Sequence, residues 1–539
     1  MAENHFKLYN KLIMRKMISV FLVGLFVCQG LFAETINILK AGGKNDGKTL
    51  NTKVIAKTID KLAANGGGTL FFPAGVYMTG PIQLKSNITL DLESGAVLSF
   101  SDNFEDYLPF VEMRYEGTVM KSFHPLIYAY EAENITIKGR GTLNGNGKAW
   151  WNAAYNFNEK DPKNEPNMNK YMNMWDEENK DLKEEYKEEM EMYFNRKFFR
   201  PPFFQAYRSK NILVEGVKFM NSPFWTITPE FCSNIRVTGV TIDNPISPNT
   251  DGINPSSCNN VHISDCHINV GDDCITIKSG RDKQGRKYAT PCENLTITNC
   301  TMLAGHGGVV IGSEMSGDVR KVTISNCVFD GTDRGIRIKS TRGRGGIVED
   351  IRVSNIVMRN IVEEAITIDM FYKKSSEEPV TERTPVFRNI HISNLTGVDV
   401  NGAALIRGLP EMPISGISFN DINLQTKTGF ILSNAKDINM NSVYIDVKQG
   451  AAFNVDNVSD LRISDIRTQN PDAGDPVISL KNAKDVLITN CYPLPGSLSF
   501  LKLDGKNSEG IILMNNYLKR LENPLAIPEE LKQAVTVID

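Results

Sequence analysis

A short β-rich phrase recurs along almost the whole chain, and no other feature restricts the fold as much. It reads Asn87-Ile-Thr-Leu, Asn134-Ile-Thr-Ile, Asn211-Ile-Leu-Val, Asn234-Ile-Arg-Val, Asn260-Val-His-Ile, Asn294-Leu-Thr-Ile and Lys321-Val-Thr-Ile. It continues as Asp350-Ile-Arg-Val, Asn389-Ile-His-Ile, Gly416-Ile-Ser-Phe, Asp437-Ile-Asn-Met, Asp460-Leu-Arg-Ile, Asp485-Val-Leu-Ile and Gly510-Ile-Ile-Leu. From Asn211 onward, successive starts lie 21 to 39 residues apart. Such a period, with apolar residues alternating inside each phrase, predicts a solenoid of strands rather than a string of domains. Six residues after each start stands an apolar residue: Val217, Val240, Cys266, Cys300, Cys327, Ile356, Leu395, Ile422, Val443, Ile466 and Cys491. That column faces a continuous core. The column before it is mostly Asp or Asn, residues that tolerate the left-handed conformation of a tight turn. The combination predicts an all-β fold, a single-stranded parallel β-helix whose coils stack about 4.8 Å apart.

Length and charge fit this reading. The 539 residues would suggest several domains by size alone, but the repeat runs through most of them, so residues 34–539 are expected to form one solenoid. A net charge of −3 predicts neither a nucleic-acid footprint nor a polybasic membrane patch. Any charged substrate must then be met by local charges. At the start, Lys7, Lys11, Arg15 and Lys16 precede the apolar run Met17–Val27, and Gly30-Leu-Phe-Ala33 offers a cleavage site. Residues 1–33 read as a secretory signal peptide, and the product is expected outside the cytoplasm, periplasmic or extracellular. Cys28 faintly matches a lipid-attachment box. No other segment is apolar enough to span a bilayer, and a monomer is expected. Eight cysteines remain after Ala33. An even number in an exported chain invites disulfides, but the repeat phase assigns Cys266, Cys300, Cys327 and Cys491 to the core as free thiols. No cysteine or histidine spacing reads as a metal site.

Two segments depart from the strand pattern. Thr52 to Ala64 reads as a short amphipathic helix, with Val54, Ile55, Ile59 and Leu62 on one face, placed to cap the open end of the first coil. Residues 152–199 add about two coils' worth of sequence without a strand phrase. Asp176 to Asn195 is a charged helix candidate there, expected to be a solvated helix on a long insertion in preference to a lid over one end of a cleft.

The middle coils carry polar clusters: Pro248-Asn-Thr-Asp-Gly252, Gly271-Asp-Asp-Cys274, Gly305-His-Gly-Gly308 and Arg334-Gly-Ile-Arg-Ile-Lys339. Asp272 and His306 both fall twelve residues after their phrase starts, while Asp251 and Arg337 fall seventeen and sixteen after theirs, which calls for slightly longer turns. Four consecutive coils thus bring carboxylates, an imidazole and two cations to one face. Adjacent Asp272 and Asp273 would point to opposite faces of a strand, unless Gly271 opens a bulge or turn. Crowded carboxylates raise the proton affinity of at least one of them. Such a set suits glycosidic hydrolysis, in which one carboxyl protonates the leaving oxygen and others deprotonate a water. Arg337 and Lys339, two apart on a strand, point to the same side and can hold the carboxylate of an acidic sugar.

In that order, Asn249-Thr-Asp251, Gly271-Asp-Asp273, Gly305-His-Gly307 and Arg337-Ile-Lys339 resemble the four-motif signature of the polygalacturonases, glycoside hydrolase family 28. The likeness extends through Gly66 to Val97, Trp150-Trp151 and Asn221-Ser-Pro-Phe-Trp225. It implies a right-handed β-helix and inverting hydrolysis of α-1,4-linked galacturonate, with a pectic polysaccharide or oligosaccharide as substrate. By motif position, Asp272 matches the general acid, Asp251 and Asp273 the pair that activates water, and His306 a residue supporting the acid. Arg337 and Lys339 match the binders of the galacturonate carboxylate; Asn249 is carried as a further substrate-binding candidate, and Tyr372 is the candidate for a later family tyrosine. No metal or organic cofactor is implied. The resemblance leaves open endo against exo attack and homogalacturonan against rhamnogalacturonan, including an exo-acting galacturonidase on pectic oligosaccharides. Two other readings of the repeats are a calcium-dependent pectate lyase and a non-catalytic β-helix that binds carbohydrate. The acid trio and His306 argue against both.

Overall fold

The computed structural model describes residues 34–156, 166–187, 199–468, 475–493, 497 and 499–538. The signal-peptide candidate, Cys28 and Ala33 lie outside the described residues. So does the part of the 152–199 insertion comprising 157–165 and 188–198. Among the described residues no helix is long and apolar enough to cross a membrane.

The chain winds into a parallel β-helix, right-handed as parallel crossovers are. Each full coil contributes a strand to three parallel ladders. The first stacks the repeated phrase in register, Ile212 on Ile235, Val261, Leu295, Val322, Ile351, Ile390 and Ile417. The second runs through Thr241, His267, Thr301, Val328 and Val357. The third runs through Phe204, Ile227, Ile253, Ile275, Val309, Ile336, Ile366, Ala404 and Phe430. Their inward faces merge into one hydrophobic core that extends from Ile38 to Leu531.

The corners explain the asparagines. Asp265, Asn299, Asn326, Asn355 and Asn394 all have φ between 49° and 59°. The residues that open each phrase do the same: Asn134, Asn211, Asn234, Asn260 and Asn294 lie between 56° and 59°. Asn is among the residues that adopt this conformation most readily. The side chains then stack. Asn134 donates to Asn87 at 2.7 Å, Asn211 to Asn134 at 2.9 Å, Asn234 to Asn211 at 3.0 Å and Asn260 to Asn234 at 3.2 Å. The residue type that permits the turn therefore also ties each coil to the next.

The capping helix spans Thr52–Ala64 and buries Ile55, Thr58, Ile59 and Leu62. All eight described cysteines are free and buried. The disulfides suggested by their even number are absent because the two vertical stacks, Cys232–Cys258–Cys292 and Cys266–Cys300–Cys327, serve as small apolar core residues.

The insertion differs from its expectation. Among the described residues the helix Lys148–Asn156 runs into it, and two more follow, Pro166–Glu178 and Lys180–Glu185, broken at Asn179. The 176–195 candidate thus starts ten residues late, and its end lies outside the described residues. Nor is the segment merely solvated. Trp175 and Tyr186 are buried with Met113, Tyr115, Met120, Phe199, Phe224 and Trp225 in a second hydrophobic cluster. The Asn179 side chain also pairs with the Lys121 backbone, accepting from its N–H at 2.8 Å and donating to its carbonyl at 2.9 Å. Lys121 belongs to an antiparallel hairpin, Val111–Tyr115 and Thr118–Ser122, that projects from an early coil. Arg114 pins this hairpin to the solenoid through Glu230 at 3.2 Å and Ser257 at 2.9 Å, with all three residues buried.

Replacing Trp175 with Ala removes the largest side chain holding insertion to hairpin, a loss of about 3–5 kcal/mol for a buried aromatic. Limited proteolysis is expected to cut between residues 166 and 187 faster in this variant, with the β-sheet circular dichroism unchanged. Equal cutting rates would return the insertion to a solvated appendage.

Candidate active site

The third ladder carries the site because its turns vary in length while its strands stay in register. Ile253 lies beside Ile275, which places Asp251 beside Asp273 on the neighbouring coil, and Asp273 in turn lies beside Gly307. Reaching that register from the second ladder takes a long turn at 245–250, as the position of Asp251 required. Arg337 needs no such turn. It stands opposite Val310 in unbroken register, three residues further along the strand than the position opposite Gly307. The expectation of a lengthened turn before Arg337 is therefore corrected. Its long side chain reaches back instead, to 3.6 Å from Asp273. Gly307 lies beside both, and a Cβ there would stand 2.5 Å from Val310 Cγ2 but at ordinary contact distance from Asp273 Oδ1 and Arg337 Cβ.

The conflict between Asp272 and Asp273 is resolved by a turn. Asp272 sits in it and Asp273 opens the strand Asp273–Ile277, so both face the same cavity. Gly271 makes the turn possible: a Cβ there would lie 2.0 Å from the Ser247 carbonyl oxygen. The three carboxylates of Asp251, Asp272 and Asp273 each present an oxygen within 4.8 Å of the others. The His306 backbone N–H donates to the Asp272 carbonyl at 3.0 Å, and its ring Nδ1 lies 3.2 Å from Asp272 Oδ1. Nε2 faces Asp333 at 3.9 Å. Asp272 also accepts from the Asp273 N–H at 2.8 Å and from the Asn249 amide at 3.4 Å.

The cations are just as close. Lys339 Nζ is 2.8 Å from Asp273 Oδ2. The exposed Tyr372 ring covers Lys339 and Arg337, with centroid distances of 5.2 and 5.8 Å. Asp251, Asp272, Asp273, His306, Arg337, Lys339, Asn249 and Tyr372 are thus all brought together. Three carboxylates in reach of one another have the donor set for a cation, but Lys339 and Arg337 already supply counter-charge to Asp273, and Lys278 lies 3.8 Å from Asp251.

These surroundings push the carboxyls apart. Burial raises the proton affinity of Asp251 well above the usual carboxylate range, and the neighbouring Asp272 charge adds to it. Burial acts the same way on Asp272, but the His306 contact and the Lys339 charge outweigh it and leave that carboxyl lowered. The His306 imidazole is raised in return, chiefly by its hydrogen bond to Asp272. Of these two carboxyls, Asp251 is therefore the one whose surroundings favour holding a proton.

Several participants escaped the sequence reading. Lys278 is buried between Glu314 at 3.0 Å and Asp251, beneath the Trp225 ring at 4.5 Å. Burial opposes its charge, yet Glu314, Asp251 and Asp273 hold its proton affinity above normal. Arg200, at the end of the insertion, donates to Pro248 O at 2.6 Å and to Asn249 Oδ1 at 2.8 Å, and so fixes the loop that carries Asn249. The Glu116–Gly117 turn of the hairpin closes one side of the cavity, with Glu116 3.3 Å from Arg281. Glu116 and Gly117 both have positive φ, 43° and 84°, but Glu-Gly is not one of the Asn-Gly or Asp-Gly pairs that mark such a turn in a sequence. Nothing local marked Lys278 or Arg200.

Comparison with known proteins agrees with this geometry. Residues 184–439 match the profile of Glycosyl hydrolases family 28, and residues 35–161 that of Rhamnogalacturonase A/epimerase, pectate lyase-like. The chain is similar to a probable polygalacturonase of Vitis vinifera, 30% identical over 403 residues that cover 73% of this chain and 74% of that one. It is also similar to an endo-polygalacturonase of Pectobacterium carotovorum, 27% identical over 71% of this chain and 90% of that one. Among solved structures, a hyperthermoactive exopolygalacturonase from Thermotoga maritima superposes with a TM-score of 0.65 at 33% identity, covering 76% of this chain and 92% of that one. On this sequence likeness, carried over a shared fold, the chain belongs to glycosyl hydrolases family 28 and is a glycosidase.

Proposed function

We propose that the protein hydrolyses galacturonosyl linkages of pectic polysaccharides. The observation that carries this is the convergence of three carboxyls and two strand-borne cations in one cavity. Acid–base groups for a glycosidic bond stand there beside groups for an anionic sugar. In this reading Arg337 and Lys339 take the sugar carboxylate at the cleavage point. Asp272, the most exposed of the three acids and the one touching His306, delivers the proton to the leaving oxygen. Asp251 and Asp273 hold and deprotonate the water. Such a polymer lies outside cells, in keeping with the leader-like N-terminus.

The resting distribution of protons sets a condition on this scheme. The proton has to reach Asp272, although His306 and Lys339 lower the affinity of that carboxyl for it. Binding an acidic sugar supplies what is missing. It brings negative charge to Lys339 and Arg337 and displaces water from Asp272, and both effects raise the affinity of that carboxyl for a proton. The trio then titrates as a set.

A second point concerns the mode of attack. The cavity is closed on one side. The wall that limits it is the hairpin turn braced by the insertion, and this favours release of single residues from a chain end.

Three outcomes test the proposal. Asp272→Asn keeps the thermal unfolding profile and lowers turnover of polygalacturonate by about 10²–10⁴-fold, the scale of a lost general acid; near-normal turnover would remove Asp272 from that role. Inverting and retaining hydrolysis both use carboxyl groups of this kind, so the product anomer is informative. Proton NMR during the first turnovers is expected to show inverted, saturated product. A retained anomer would mean a covalent intermediate, and a double bond would mean elimination. Third, His306→Ala removes the contact that lowers Asp272, so the last shared proton is held more tightly and the alkaline limb of kcat/KM moves to higher pH. An unmoved limb would detach His306 from the acid.

A further inference from the structure

One buried cation beside the acids has no part in the scheme above. Lys278 stands one residue past the strand Asp273–Ile277, buried on the floor of the cavity. Its Nζ donates to Glu314 Oε2 at 3.0 Å and lies 3.8 Å from Asp251 Oδ2. The Trp225 ring covers it at 4.5 Å. Glu314 is fixed from the other side, accepting from Ser313 Oγ at 3.1 Å and facing Arg344 at 3.7 Å. Asp251 is fixed as well, its Oδ2 accepting from the Asn254 amide at 2.9 Å. All three charged groups are thus withdrawn from water, where charges act on one another most strongly. A buried ion pair adds little to stability over an apolar pair of the same size. What this pair does supply is a charge at a fixed distance from Asp251.

The need for such a charge follows from the chemistry. The attacking water gives one proton to Asp251 as its oxygen bonds to the anomeric carbon, while the leaving oxygen takes a proton from Asp272 and its bond to that carbon breaks. Asp251 must be ionised when this begins, yet burial and the charges of Asp272 and Asp273 all favour its protonated form. Two cations oppose them. Lys339 is one, but it stands 2.8 Å from Asp273 and is directed there. Lys278 is the other, and it acts on Asp251 more strongly than Lys339 does. Glu314 moderates the effect: it lies nearer to the ammonium than Asp251 does, so it weakens the pull on that carboxyl while keeping Lys278 charged against its burial. Further charges facing Lys278 are Asp273 on its own strand and Glu230, two coils away in the same column, which Arg114 pairs at 3.2 Å.

We propose that Lys278, set between Glu314 and Asp251, is a positioning residue of the reaction: its charge keeps Asp251 able to take the proton of the attacking water, and Glu314 limits how far that charge acts. This rests on the hydrolase reading above and deepens it, because it names what sets the pH range in which the acids work. In this role Lys278 acts through Asp251 and not on the sugar.

The test uses the full chain and the pH profile of kcat/KM on polygalacturonate. Because the trio titrates as a set, removing a neighbouring cation raises its affinity for protons and removing a neighbouring anion lowers it. Lys278→Met is expected to move the profile to higher pH by about one pH unit, and Lys278→Arg to bring it back. Glu314→Gln moves it to lower pH. Opposite shifts from the two halves of one ion pair are not what lost packing produces. Shifts in the same direction, or none, overturn the proposal. If Lys278→Met does not fold, Glu314→Gln decides alone: a profile at lower pH supports the proposal and an unmoved one overturns it. If the unaltered protein cleaves no galacturonate linkage, the hydrolase reading fails on its own. Infrared titration then follows the protonated carboxyl band that Asp251→Asn removes. A band that persists to higher pH in Lys278→Met supports the coupling of Lys278 to Asp251, and an unchanged titration overturns it.

Discussion

Vertical registry between coils is the constraint on which everything else in the molecule depends. Side chains on a strand alternate faces, so a slip of one residue between neighbouring coils would turn core residues outward and site residues inward. The corner residues resist that slip in two ways. The left-handed conformation of Asn211, Asn234 and Asn260 sets where each strand begins, and their stacked amides bond coil to coil. Each such bond contributes on the order of 1 kcal/mol. Together they hold Asp251 beside Asp273, and both near His306, although these groups come from three separate coils.

Within that frame, site chemistry is a matter of charge placed at short range in a partly dry cavity. Buried carboxylates repel one another and favour protonation, while nearby cations favour ionisation. Lys278 and Lys339 are set against different acids, 3.8 Å from Asp251 and 2.8 Å from Asp273, and His306 is set against Asp272. The three carboxyls therefore occupy unlike environments, as groups with divergent acid–base roles require. The turns between the second and third ladders allow this, because they can lengthen at 245–250 and tighten at Gly271 without disturbing the strands on either side.

The regular part of the molecule was legible in the sequence. The phrase starting at Asn211 and its successors, the apolar column from Val217 to Cys491, and the helix Thr52–Ala64 all follow from local pattern. So did the meeting of Asp272 with His306, which share the same phase. Arg337 was assigned to the right site by the wrong route, because a long side chain can cross three residues of strand and phase alone does not reveal its reach. The cysteines divide: repeat phase placed Cys266, Cys300, Cys327 and Cys491 in the core as free thiols, as found, whereas the even count suggested pairing for the others, which stacking in a core does not require. The hairpin at 111–122 went unread and the helices at 166–185 were read as a later, solvated helix, because the packing that holds both to the solenoid lies far away in sequence. Trp175 is explained by Met113 and Phe224 rather than by its own neighbours, and Lys278 and Arg200 take their meaning from Glu314 and Asn249.

The floor and the wall of the cavity belong to different stretches of chain. The floor is made by successive coils and carries the acids. The wall is a hairpin from an early coil, propped by an insertion, and it meets the floor through the second hydrophobic cluster and polar contacts such as Arg114 with Glu230 and Gln284 with Val119. The two can therefore change independently over evolutionary time. Lengthening or shortening the prop would alter how much polymer the enclosure admits, and hence fragment size, while the bond-breaking groups stayed as they are. A solenoid of this kind offers descendants a fixed reaction with an adjustable appetite.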